Sequence, residues 1–186
     1  MRWFGIAAAA AVALFIAYGV YGQMTKPPMK PQRIPCQKEV TCFERLYGTP
    51  EALSRVVDLL ARRHYGIETT TQPSVYMTPR LFDTLDPADA EAEVRRAIER
   101  LIPRKAASAG AKAPLRVKFL IYENDKKDPG KKSKKAFLYE GYVVFSFLLE
   151  GKTVYKVQVD FMEPEGRDVN RRIDCAVRSL VSLEKE

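Results

Sequence analysis

The chain has 186 residues, 46% apolar and 29% charged, a balance that excludes disorder and suits one globular domain behind an apolar leader. Lysine and arginine outnumber aspartate and glutamate by 31 to 23. The resulting basic surface favours anionic partners without choosing between nucleic acid, acidic lipid and cell-wall polymer.

Residues 1–22 read as a transmembrane anchor or signal segment. No charge falls between Trp3 and Gly22, a stretch long enough for a helix to cross ~30 Å of hydrocarbon. Arg2 precedes it, and Trp3, Tyr18 and Tyr21 sit at its ends, where amphipathic rings favour the interface. The rival is a secretory signal cleaved after Val20-Tyr21-Gly22. The long apolar run and minimal n-region favour the uncleaved anchor. Lys26, Lys30, Arg33 and Lys38 after the span would hold the domain in the cytoplasm by the positive-inside rule. A two-residue N-tail running straight into an apolar stretch acts instead as an export signal. The expectation is a single-pass inner-membrane protein with its domain in the periplasm, touching lipid through residues 3–22. The alternative is a soluble periplasmic or secreted protein.

Residues 23–48 read as a Pro/Lys-rich tether with a cysteine loop, and 49–186 as a globular α+β domain. Thr49-Pro50-Glu51 opens a helix whose stripe is Leu53, Val56, Val57, Leu60 and Ala61, with His64 in its last turn and Gly66 as its stop. Residues 67–85 hold at most a short edge strand, weakened by Pro73. Asp86-Pro87 opens a second helix striped by Ala90, Val94, Ala97, Ile98 and Leu101.

Period-two alternation then recurs three times. Leu115, Val117, Phe119 and Ile121 share one face. Phe137, Tyr139, Val143, Phe145, Phe147 and Leu149 share the next, with Gly141 marking a bulge. Tyr155, Val157, Val159 and Phe161 share the third. Asp168 caps a closing helix striped by Val169, Ile173, Ala176, Val177 and Leu180. These predict a two-layer domain in which an antiparallel three-stranded meander is packed by about three helices.

The cysteines are the first candidate site. Cys175 projects from the closing helix away from its apolar stripe, so an oxidising compartment would pair it with Cys36 or Cys42. Cys36–Cys42 is equally allowed, and a leftover thiol pairing between chains would make a homo-oligomer. A Cys₃His zinc site with His64 lacks the close cysteine spacing it needs. The second candidate is "NDKKDPGKKSKK", where Lys126, Lys127, Lys131, Lys132, Lys134 and Lys135 would form either a basic finger for an anionic surface or a solvated loop turning at Asp128-Pro129-Gly130.

A single histidine and no P-loop, G-x-G-x-x-G or G-x-S-x-G argue against an enzyme, and no cofactor signature occurs. "EGYVVFSF" fits an RNA-recognition strand at Gly141, Tyr142 and Phe147. Glu140, Val143 and Val144 replace the basic, small and stacking residues, so nucleic acid is not an expected partner.

Val143, Phe145, Phe147, Glu150 and Gly151, then Val157 and Val159, then Ile173, Asp174 and Ala176 follow a strand–strand–helix pattern. Over residues 143–180 the chain resembles the C-terminal domain of the TonB and TolA family. Helices of TolA-like domains carry a cysteine similar to Cys175. The resemblance implies one N-terminal span and action through protein contacts rather than catalysis. The expected function is a membrane-anchored bacterial envelope protein that binds another envelope protein. The alternatives are a module binding anionic envelope material through the 126–135 lysines, or an unrecognised hydrolase.

Overall fold

A computed structural model describes residues 33–106, 115–131 and 134–184. The expected membrane segment at residues 3–22 lies outside them. Among the described residues no helix is long and apolar enough to cross a membrane.

In chain order the elements are α1 Cys36–Glu39, β1 Cys42–Leu46, α2 Pro50–Ala61, β2 Tyr65–Gln72, α3 Leu81–Thr84, α4 Pro87–Leu101, β3 Leu115–Glu123, β4 Gly141–Leu149, β5 Lys152–Phe161 and α5 Val169–Leu183. The class is α+β, and β3, β4 and β5 form the expected antiparallel meander. The sheet has five strands rather than three, in the order β1-β5-β4-β3-β2. β1 adds antiparallel to β5, and β2 adds parallel to β3, which makes the sheet mixed. Both additions are edge strands with much of their surface exposed, so neither needs the apolar alternation that betrays a central strand.

One sheet face and the helix stripes form a single core. Phe119, Phe145, Phe147, Tyr155 and Phe161 are fully buried against Leu60, Ile98, Ile173 and Leu180. Each such side chain stabilises the fold by about 1.5–3 kcal/mol. α2 and α4 start where the sequence places them, whereas the Asp168 carboxylate does not cap α5 and accepts from the Met162 and Glu163 amides instead. The Thr49 hydroxyl accepts from the Ala52 amide and Asp86 from the Ala88 amide, each ahead of a proline in the first turn.

The ends differ from expectation. Arg63, not Gly66, terminates α2. It takes a left-handed φ of 58°, and its guanidinium donates to the Leu60 carbonyl at 2.7 Å and the Ile102 carbonyl at 3.0 Å. One side chain thus closes the C-termini of both α2 and α4. Gly66 lies inside β2. His64 sits past the helix and off its stripe, its carbonyl accepting from the Leu115 amide at 3.1 Å.

Gly141 forms no bulge either. It opens β4 in register with Glu123 and Phe161, where a Cβ would strike the Tyr122 carbonyl and the Phe161 ring. The sheet's irregularity falls at Phe147/Leu148 instead. Phe137 and Tyr139, expected on the buried face of this strand, precede it. Asn124 holds the Tyr139 and Glu140 carbonyls and turns the chain aside. Residues 134–137 form a 3₁₀ turn that leaves Phe137 and Leu138 exposed.

Candidate docking surface

Cys36 and Cys175 form a disulfide with Cα atoms 5.8 Å apart, closing 139 residues of sequence, and Cys42 stays a free thiol. Cys175 is buried, not exposed on a polar face, because residues 33–48 fold over that side of α5. This stretch is therefore no loose tether. The Arg33 guanidinium donates to Glu44 at 2.9 and 2.5 Å, the Tyr155 hydroxyl donates to Glu44 at 2.6 Å, and the Gln37 amide bridges Glu44 and Ser179 at 3.2 and 3.0 Å. Burial, reinforced by the Glu44 charge, pushes Tyr155 upward. Burial first and Glu44 second raise the Cys42 thiol to about 12, which keeps it protonated at neutral pH.

The described candidate lysines differ in their surroundings. Lys126 pairs with Glu140. Lys131 donates to the Asn124 side chain and, at 2.8 Å, to the Asp125 carbonyl, and lies 5.7 Å from the Tyr122 ring centre. Lys127 and Lys134 are exposed. Lys132 and the side chain of Lys135 lie outside the described residues.

Beside this loop lies a surface the sequence did not single out. The register sets Gln72 against Tyr122, Glu123 against Gly141 and Gly141 against Phe161. The ends of β2, β3 and β5 and the start of β4 therefore share one end of the sheet. The connections there expose Val75 (80%), Tyr76 (58%), Phe137 (41%), Leu138 (65%) and Met162 (38%).

The segment 73–81 is locked onto the end of β3 by two carboxylates. Glu123 accepts from the amides of Ser74, Arg80 and Leu81 at 3.0, 2.8 and 3.0 Å, and from the Ser74 hydroxyl at 3.3 Å. Asp125 accepts from the Val75 amide at 2.6 Å and from the Tyr76 amide. Burial alone would raise both acids. The amide donors outweigh it and hold both below the usual carboxylate range. Asp168 repeats the device across the same end, accepting from the amides of Met162 and Glu163 at 3.1 and 3.0 Å and pairing with Arg172.

A cavity of about 240 Å³ lies under the loop, lined by Met77, Arg80, Leu81, Glu123, Glu140 and Glu165. That falls below the ~300 Å³ at which small-molecule sites begin. This end presents exposed apolar side chains on a backbone held by Glu123 and Asp125.

Sequence reasoning missed these residues because exposed Val75 and Tyr76 look like any loop apolars. The legible signal was "END", with Glu123 and Asp125 continuing a buried strand where acids need partners.

No family model and no curated protein matches this chain. Among solved structures it is similar to a chain of a PelC dodecamer from Paraburkholderia phytofirmans, at 10% identity and a TM-score of 0.41, over 75% of this chain and 97% of that one.

Proposed function

We propose that this chain is a membrane-anchored protein of the bacterial cell envelope whose globular domain docks another envelope protein without catalysing a reaction. The observation that carries the docking is the loop-end patch. Val75 and Tyr76 are displayed on a segment fixed by amide-to-carboxylate bonds, so their exposure is built in. Apolar side chains carried on a backbone that is already ordered save its ordering entropy on binding, which favours an interface anchor.

A disulfide favours the oxidising side of the membrane, and the uncharged run from Trp3 to Gly22 supplies the anchor. Kinship with the TonB and TolA C-terminal domains belongs to the same proposal, since β4, β5 and α5 are the segments that resemble them. The competing role for the lysine loop is weaker, because Lys126 and Lys131 already serve Glu140 and Asn124.

The test is a photo-crosslinking amino acid placed at 76, at 138, and at the exposed control position Glu51, in cells making the full chain. Positions 76 and 138 should give one discrete protein adduct and position 51 none. Adducts equal at all three positions, or absent from 76 and 138, would count against the patch.

A further inference from the structure

The register also orders the sheet face turned away from the helices. One row across it reads Arg45, Lys156, Ser146, Lys118 and Glu68, from β1 to β2. The next row reads Phe43, Gln158, Val144, Leu120 and Thr70. Arg45 and Lys156 are direct cross-strand partners, and both are exposed. Like charges placed so destabilise a sheet.

Among the described residues neither cation has an ion-pair partner; Arg45 only rests over the Tyr47 ring at 4.9 Å. The nearby acids are committed elsewhere. Glu44 lies on the opposite face with Arg33, Glu68 holds Arg116 at 2.7 and 2.9 Å, and Asp160 is buried and pushed toward its neutral form by that burial. Phe43, 59% exposed, leads the adjoining row.

We infer that this face binds an acidic, apolar-bearing segment of a protein partner, with carboxylates meeting Arg45 and Lys156 and apolar side chains meeting Phe43 and Leu120. Charge complementarity selects an anion, and exposed Phe43 with half-buried Leu120 in the same row, on either side of buried Val144, selects a partner with aliphatic groups over a glycan or a headgroup layer. The inference is independent of the loop-end patch, which lies at the end of the sheet rather than on its face.

The probe is a glutamate-rich peptide with leucine at every third position, titrated against the full chain in neutral detergent. Arg45→Gln/Lys156→Gln should weaken binding about ten-fold or more. Lys38→Gln/Arg104→Gln, with the same change in net charge at exposed sites elsewhere, should weaken it less than about two-fold. Tyr76→Ser/Leu138→Ser should leave it unchanged, so failure here and failure of the loop-end docking are read separately. Equal loss in the row and control variants would overturn the inference. So would row-dependent binding of heparin or of phosphatidylglycerol vesicles in place of the peptide. Melting temperature supplies a second reading, since removing the Arg45–Lys156 repulsion should not lower it.

Discussion

Residues 33–48 and residues 73–81 both lack apolar periodicity, and both are fixed by bonds to residues distant in the chain. The first stretch uses its bonds to seal a polar network and the disulfide against β5 and α5, with Phe43 and Tyr47 left on its outer side. Arg33, Gln37 and Glu44 knit it to Tyr155 and Ser179, and Cys36 is tied to Cys175. The second uses equally specific bonds, to Glu123 and Asp125, and leaves Val75 and Tyr76 in solvent. Anchoring that ends in burial serves stability. Anchoring that ends in display of apolar side chains leaves them available to a partner, which is the role proposed for them.

The sharpest way to break this contrast is Glu44→Ala. It removes the carboxylate from the Arg33 guanidinium, whose side chain is only 8% exposed and which keeps the neutral Ser182 hydroxyl and Ser179 carbonyl. Loss of a buried partner of this kind should cost about 3–5 kcal/mol in urea unfolding of the full chain. A loss below ~1 kcal/mol would mean that residues 33–48 are a surface strap rather than part of the folded unit. Next comes the disulfide. Cys36→Ser/Cys175→Ser opens a link spanning 139 residues, and an expected loss of about 2–4 kcal/mol should appear equally on adding reductant to the native chain.

Glu123→Gln should cost less, about 1–3 kcal/mol, because it keeps the shape and loses a charged acceptor of three amides. Its distinguishing sign is local. Proteolytic nicking within 73–81 should rise while the core resists. The same bonds set a pH dependence. The folded values of Glu123 and Asp125 lie below their ordinary ones, so their stabilisation is complete above the unfolded values of about 4 and fades as the pH falls through the folded values. Loop nicking should therefore increase below about pH 4 in the native chain and respond less in Glu123→Gln/Asp125→Asn. The smallest effect belongs to Val75→Ser and Leu138→Ser, each expected within ±0.5 kcal/mol of the native chain, with loss of the photo-adduct at position 76.

Much of the central sheet was legible because β3, β4 and β5 place an apolar residue at every second position on the core face, although Val144 and Leu148 are buried on the other face of β4. α2, α4 and α5 were legible from their stripes and, for the first two, from proline-marked starts. The edges were not. β2 is largely Gly, Glu and Thr, and β1 carries Glu44 inward, where Arg33 and not an apolar neighbour compensates it. The polar-face reading of Cys175 failed for the same reason, since α1, which covers it, has no pattern of its own beyond four residues. Composition marks the lysine loop, whereas the neighbouring acids at 123 and 125 hold residues 74–81 through amide bonds that composition does not reveal.

The most direct measurement is amide hydrogen exchange of Val75, Tyr76, Arg80 and Leu81 in the free full-length chain at neutral pH. If the loop is held ready for a partner, these amides are protected well beyond free-peptide rates, and Glu123→Gln/Asp125→Asn releases them. Exchange at free-peptide rates in the native chain would show a slack loop and contradict the idea of a surface built for docking.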